Sequence, residues 1–581
     1  MSLFHLFKEF RWKDWTLTCA SLVFMLIQVW MDLNLPAYMS KITMLLQTSG
    51  TGMHELLRAG GIMLLYALGS LLASCATAVC VSALSFSFGG NLRSRLFHQV
   101  MQFSMAESDT FSPASLITRS TNDITQVQSF MVMGLQVIVK APLTAIGAIG
   151  KVSGMVWQWT AATVAGTVLI VAVVTTCVFL ILPRQKRVQK LTDKMNQIAD
   201  ANLTGISVIH AYNAEKTAEG KFSSTNEEMT KNNLYAIRAM AVMSPAVQLV
   251  LNGMTLAIYW IGAVLIDQTG ALKQAGLFSN MLAFAQYATQ IVNAFVTLTM
   301  VFTMIPRVMV SSRRIDEVLK TEPSVKDEGT DRESQETGTL EFSHVDFCYP
   351  GECKPTIKDI TFSASKGETV AIIGATGSEK STAVNLIPRL YDVSSGAILV
   401  DGMDIKDYSL KALRDKIGYC PQQSVLLSGT VRSNVCYGNA APDETVKLAM
   451  QSSQAEEFVK TMPGGLDAPV MQSGANLSGG QKQRLSVARA LEKSPEILVL
   501  DDTGSALDYK TERQLRNDLS EHYPDVTKIV VTQRIGSVQD ADQILVMEDG
   551  KIVGHGTHQE LLQSCEVYHE IAETQKEEAA L

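Results

Sequence analysis

Residues 374–382 read Gly374-Ala375-Thr376-Gly377-Ser378-Glu379-Lys380-Ser381-Thr382 and follow an apolar run, ETVAIIG, with the make-up of a buried strand. Glycines let backbone N–H groups wrap a phosphate chain, a lysine then neutralises its outer oxygens, and a serine or threonine hydroxyl meets magnesium. Strand, loop, Lys380, Ser381 and the following helical stretch stand in that order, so the segment predicts a phosphate-binding loop. One position departs from the pattern. Glycine is expected just before the lysine, but Glu379 stands there and brings a Cβ and a negative charge to a site for a polyanion. A second apolar run, EILVLDD (496–502), ends in carboxylates, and Asp501 is placed to hold Mg2+ there.

These groups need a scaffold, and composition divides the chain in two. At 581 residues it has room for more than one domain, and a net charge of -8 gives no basis for nucleic-acid binding. Up to about residue 312, charges punctuate long apolar runs; beyond it they occur at ordinary globular density. About 20 apolar residues cross a bilayer. Six segments qualify: 15–39, 58–90, 130–152, 160–183, 245–266 and 277–305. Arg93 and Arg95, then Arg184 to Lys190, then Arg307, Arg313 and Arg314 fall at alternate helix ends, and Lys8, Arg11 and Lys13 precede the first span. Basic residues stay inside, so both termini are expected in the cytosol, with long polar cytosolic connections after the second and fourth spans. The expected boundaries are a transmembrane domain over 1–320, an acidic and Ser/Thr-rich linker over 321–338, and a soluble domain over 339–581 in which short strands alternate with amphipathic stretches. The nine cysteines, Cys353 among them, lack metal-ligand spacing and read as reduced thiols.

Within the spans, Lys140 is a charge at mid-membrane depth, where it needs a partner or an aqueous cavity. The amides Gln248, Asn252, Asn280, Gln286, Gln290 and Asn293 suit bonds between helices, and Lys140, Asn252, Gln286, Gln290 and Asn293 are also candidates for a substrate path.

The sequence LSGGQ at Leu477–Gln481 brings a family into view. The phosphate loop, Gln422 in CPQQ, LSGGQ, ILVLDD and SALD, in that order, resemble the ATP-binding cassette. Six spans ahead of one cassette resemble the multidrug and lipid exporters of that family, and FSPASLITRSTNDITQVQ (111–128) and ANLTGISVIHAYNAE (201–215) are similar to its two coupling segments. The resemblance implies a multi-domain fold, an all-α six-helix membrane domain fused to an α/β P-loop cassette with a helical subdomain. It implies ATP and Mg2+ as ligands: Tyr349 stacking on adenine, residues 374–382 on the phosphates, and Ser381, Gln422 and Asp501 around Mg2+. It further implies that Ser478, Gly479, Gly480 and Gln481 serve the ATP of an opposite cassette, with Asp508 in the connecting loop, so that a chain with one cassette must dimerise.

Against that family the chain departs at four places. Asp502 stands where a catalytic glutamate is usual, one methylene short, and Gln533 replaces the switch histidine, so near-neutral proton chemistry is lost. Gln472 replaces a glutamate before the signature, and Glu379 replaces the loop glycine. Glu379, Asp502 and Gln533 all fall on the chain's own ATP site, while the signature is intact. The expectation is therefore the degenerate-site subunit of a bacterial heterodimeric exporter in the plasma membrane, moving amphipathic or hydrophobic substrates among membrane lipids. A homodimer with slow ATPase and a nucleotide-binding regulatory subunit remain the alternatives.

Overall fold

In the computed structural model, residues 10–48, 52–330, 337–352, 354–439 and 441–580 are described. Lys8, Cys353 and residues 331–336 of the expected linker lie outside the described residues. The chain packs as two compact units, Met1–Gln99 with Ala114–Lys320, and Val100–Pro113 with Thr321–Leu581.

The elements described in the first unit are all helices. Its elements are α1 (Trp12–Gln47) and α2 (Met53–Met101), whose last residues pass into the other unit, then α4 (Pro113–Thr118), which a π-turn joins to α5 (Ile124–Val152). They are followed by α6 (Trp157–Thr204), α7 (Ile206–Ala211), α8 (Glu215–Asp267) and α9 (Ala271–Lys320); α3 (Met105–Phe111) belongs to the second unit. In hydrocarbon every backbone polar group must be satisfied internally, which uncharged runs achieve by coiling. Among the described residues, six helical stretches of 36–53 residues are apolar enough to cross a membrane. Large apolar side chains such as Leu72, Phe86 and Leu169 stand on their outsides, as lipid-facing positions require.

Proline lies inside α1, α5, α6, α8 and α9, at positions 36, 142, 183, 245 and 306. An interior proline removes a ladder hydrogen bond. Beside the Asp32 carbonyl that Pro36 leaves without its ladder donor, the Tyr287 hydroxyl donates to the Leu33 carbonyl at 2.8 Å. Trp159, Met254, Ile258, Phe284 and Tyr287 bury together and knit α6, α8 and α9.

The second unit is α/β. A six-stranded sheet has the order β12-β11-β3-β10-β9-β6. It comprises β3 (Thr369–Ile373), β6 (Ile417–Cys420), β9 (Ile497–Asp501), β10 (Thr527–Thr532), β11 (Gln543–Glu548) and β12 (Lys551–Gly556). All pairings but β11–β12 are parallel. A parallel sheet is covered on both faces, so its strands read as unbroken apolar runs rather than alternating ones; every residue of β9 is buried. A four-stranded antiparallel sheet, β2-β1-β4-β5, is built from β1 (Leu340–Phe347), β2 (Ile357–Ala364), β4 (Ser395–Val400) and β5 (Met403–Asp404). A helical part between Val431 and Glu492 has its own core of Val431, Val446, Met450, Phe458 and Leu485. The short helix α3 is integral to this unit: Ala106 buries in the sheet core, and the Tyr391 hydroxyl donates to Asp109 at 3.1 Å.

Candidate functional site

Three adjacent parallel strands set the site. In register, Thr532 of β10 lies opposite Ile373 of β3, and Val531 lies opposite Asp501 of β9. Their carboxyl ends are therefore flush, and the phosphate loop, the paired carboxylates and Gln533 leave the sheet side by side. Ligands bind at that edge of an open α/β sheet.

The loop turns through Gly377 at φ +86°, a left-handed conformation that glycine adopts without penalty. It turns so again at Glu379, with φ 71° and ψ 26°. The backbone there has the form glycine favours, and a side chain pays roughly 1–2 kcal/mol for it. Glu379 is also held in place: its Oε2 accepts from the Thr382 hydroxyl at 2.6 Å. That uses the single Thr382 proton, so in the 3.0 Å contact between the Tyr349 and Thr382 oxygens the tyrosine is the donor. The ring of Tyr349 meets Phe347 and Tyr391 edge-on, at 5.0 and 5.4 Å between centroids.

Lys380 opens helix α10 (Lys380–Asn385) with its side chain 7% exposed. Its Nζ donates to the Gly374 carbonyl at 2.8 Å, the Ala375 carbonyl at 2.7 Å and Ser378 Oγ at 3.2 Å. Burial pulls its pKa down, against the opposing pull of Asp502, Asp501 and Glu379. The Ser381 hydroxyl donates to Asp501 Oδ1 at 2.9 Å. Asp501 is 2% exposed, and burial above all, with the Asp502 charge, raises its pKa, against the bond from Ser381. Gln422 Nε2 donates to Asp502 Oδ2 at 3.2 Å, which bridges the two loops. Asp502 is itself left-handed, at φ 46°. Thr376 Oγ1 donates to Gln533 Oε1 at 3.3 Å, so the switch position touches the phosphate loop.

Ser381, Asp501, Asp502 and Gln422 offer oxygen donors suited to Mg2+, which uses one or two carboxylates plus phosphate and water rather than a protein cage. No group of three or more His, Cys, Asp or Glu poised for a metal occurs among the described residues. The residues fit; when bound, Mg2+ supplies neutralisation of the phosphate charge, and Ser381 and Asp501 would hold it.

The signature lies on a different element. Ser478 caps helix α15 (Gly479–Glu492, counting α11 to α14 between Leu410 and Thr461): Gln481 N–H donates to its Oγ at 3.4 Å, and its own N–H donates to Gln481 Oε1 at 3.0 Å. This capping box gives Ser478 and Gln481 a local reason to be present. The amino end of a helix also attracts anions. A Cβ on Gly480 would lie 3.0 Å from the Ala506 carbonyl, while Gly479 faces open space. Asp508 caps helix α16 (Tyr509–His522), accepting from Thr511 Oγ1 at 2.7 Å and its N–H at 3.2 Å, and these bonds hold its carboxyl below the usual range. Gln472 stands exposed in a 3-10 turn, Gln472–Gly474.

In the membrane unit, Lys140 Nζ lies 3.9 Å from Asp32 Oδ2, and Ser70 Oγ donates to Asp32 Oδ1 at 2.5 Å. Lys140 thus has an ionic partner. Gln248 Nε2 and Asn252 Oδ1 meet at 3.4 Å along one helix rather than between helices. Asn280, Gln286 and Asn293 are exposed, and Gln290 Oε1 is buried without a hydrogen-bond partner among the described residues.

Several contributing residues carry no motif. Gln483 accepts from the Ser424 hydroxyl at 2.5 Å and lies 3.8 Å from Cys420 Sγ, which steadies the loop of Gln422. Glu512 is buried and receives Arg534 Nη1 at 2.9 Å and the Ser537 hydroxyl. Only the position of Arg534 beside Gln533 could have drawn attention to them.

Comparison with known proteins agrees with this geometry. The ABC transporter transmembrane region family matches residues 18–295, and the ABC transporter family matches residues 357–505. An uncharacterized ABC transporter ATP-binding protein of Mycobacterium tuberculosis is 37% identical over 532 residues, 90% of this chain and 89% of that protein. An ATP-dependent lipid A-core flippase of Pseudomonas aeruginosa is 32% identical over 474 residues, 81% of this chain and 77% of that one. The structure of a bacterial Atm1-family ABC exporter with ATP bound superposes with a TM-score of 0.78 at 22% identity, covering 96% of this chain and 98% of that one. The chain belongs to the ABC transporter family. Within it, the described residues carry six helices long and apolar enough to span a membrane ahead of one cassette, the fold of an ABC exporter and of a multi-pass membrane protein.

Proposed function

We propose that this chain is the quiet-site subunit of a heterodimeric exporter. The observation that carries the reading is the convergence of three departures on one bonded site. Glu379 occupies a left-handed glycine position, Asp502 is tied to Gln422, and Gln533 meets Thr376, while Ser478 to Gln481 keep an intact helix cap. Positioning dominates phosphoryl transfer, and a displacement on the order of 1 Å costs about 10²-fold. Aspartate at 502 withdraws the carboxylate by one methylene, so nucleotide held by Lys380, Ser381, Gln422 and Asp501 is turned over slowly. The partner's catalytic carboxylate, completed by Ser478–Gln481 of this chain, carries the productive hydrolysis.

The second coupling-like segment supports a dimer. Leu203, Val208 and Tyr212 are 74%, 59% and 80% exposed around α7, an apolar surface that a second half would cover. Closure of the cassettes would shift the membrane halves from inward-facing to outward-facing, driven by the difference in nucleotide affinity between the two states. A substrate of amphipathic or lipid class suits the largely apolar spans with their Lys140–Asp32 pair. Both termini belong to the cytosolic side of a bacterial plasma membrane, with the membrane domain over 1–320 and the cassette over 339–581. The test is ATPase of the purified chain without a partner, in lipid. Turnover near background supports the reading, and robust substrate-stimulated turnover would sink it.

A further inference from the structure

Helix α18 (Glu566–Ala580), which follows α17 (His558–Ser564), meets the main chain of the switch loop with the side chain of Gln575. Gln575 Nε2 donates to the Gln533 carbonyl at 2.6 Å, and Gln575 Oε1 accepts the Ile535 N–H at 2.8 Å. The amide thus binds donor and acceptor of the main chain on either side of Arg534, as a neighbouring strand would. The other side of the loop is held by Glu512 of α16, which receives Arg534 Nη1 at 2.9 Å and the Ser537 hydroxyl. The backbone over 533–537 is therefore pinned from two elements, while the Gln533 side chain meets Thr376 of the phosphate loop at 3.3 Å.

Helix α18 does not need Gln575 to dock. Tyr568 and Ala572 bury with Ile535, Val538 and Leu561 in one apolar cluster, and the Tyr568 hydroxyl lies 2.7 Å from His558 Nδ1. The two-point amide contact therefore does something beyond anchoring the helix. We infer that Gln575 is a positioning residue of the nucleotide site: by fixing the Gln533 main chain it sets the reach of the switch side chain to the phosphate loop. The carboxyl-terminal helix is then part of the ATP-responsive machinery. This rests on the reading that the site around Lys380 and Asp501 binds nucleotide.

The test uses the full chain in nanodiscs, with Mg·ATP binding under non-hydrolysing conditions and amide exchange over 533–537 as separate readouts. Gln575→Leu removes both bonds and should weaken Mg·ATP by about tenfold and speed local exchange by a similar factor. Gln575→Glu, close in size, keeps the acceptor for Ile535 and loses the donor, so it should fall between, and it serves if the leucine variant does not fold. Gln533→Ala should cost as much as Gln575→Leu, and the double variant no more than either, because one acts through the other. Multiplying effects, or exchange and affinity unchanged in Gln575→Leu, would overturn the inference. A wild-type chain that fails to bind Mg·ATP would count against the nucleotide reading instead, while the exchange arm still decides whether Gln575 holds the loop.

Discussion

Replacing Glu379 tests whether the site is quiet for the reason its geometry gives. Glu379→Gly relieves a left-handed side chain at φ 71°, worth roughly 1–2 kcal/mol. Against that stand about 0.5–1 kcal/mol for the added freedom of glycine in the unfolded chain and about 1 kcal/mol for the lost bond from Thr382 at 2.6 Å. Fold stability should therefore change by less than about 1 kcal/mol, so a change in affinity reports the site itself. A carboxylate close to a polyphosphate is repelled by up to about 4 kcal/mol per charge pair at an effective dielectric of about 20, and salt screening takes away part of that. A remainder of about 1.4 kcal/mol gives tenfold tighter binding. The assay is equilibrium binding of a fluorescent ATP analogue with Mg2+ to the full chain, at two salt concentrations. Glu379→Gln keeps the strained backbone and removes only the charge; it should capture most of the gain, and the gain should shrink at high salt. Unchanged affinity in both variants, or weaker binding by the glycine variant, would refute the reasoning.

Arg534→Met leaves the buried Glu512 carboxylate without its cation and should cost about 2 kcal/mol, lowering the melting temperature of the cassette by roughly 4–8 °C in differential scanning fluorimetry. The raised pKa of Asp501 has a definite sign for metal binding: Mg2+ needs the ionised carboxylate, so Mg2+-dependent ATP affinity should begin to fall on acidification at a higher pH than an ordinary aspartate would give. A titration that tracks Asp501→Asn at every pH would contradict this. In the membrane unit, Lys140→Met and Asp32→Asn should each lower thermal stability, and the double variant should recover about 0.5–1 kcal/mol relative to the sum, as expected for a half-exposed pair. Simple additivity in that cycle would show that the two charges are not coupled.

Much of the site was legible because its residues are contiguous. The phosphate loop, the Asp501–Asp502 pair and LSGGQ each lie on one strand end or one helix start, where local spacing and local geometry coincide. The Cβ and charge that Glu379 brings to a glycine position were legible too, and the structure adds that the backbone there is left-handed. The long-range partners were not legible. Asp32 and Lys140 come from different helices, and Glu512 of α16 meets Arg534 and Ser537 of the switch loop; a single polar residue carries no periodicity to say what it will meet. Gln575 is the clearest case, one glutamine in the polar stretch ETQKEE whose role exists only once α18 lies against the switch loop. The membership of Val100–Pro113 in the cassette unit was hidden for the same reason: Ala106 and Asp109 are unremarkable until they meet the sheet core and Tyr391.

The central claim is an asymmetry between what this chain holds and what it lends, and one comparison tests it directly. The chain is co-purified with a homologous half-transporter carrying the usual glutamate and histidine, and steady-state ATPase is measured for Ser478→Ala and Lys380→Ala made only in this chain. The account predicts that Ser478→Ala lowers turnover by about 10²-fold or more, since it strips the productive site of its signature, whereas Lys380→Ala leaves at least half of it. Loss of turnover with Lys380→Ala and little effect of Ser478→Ala would contradict it.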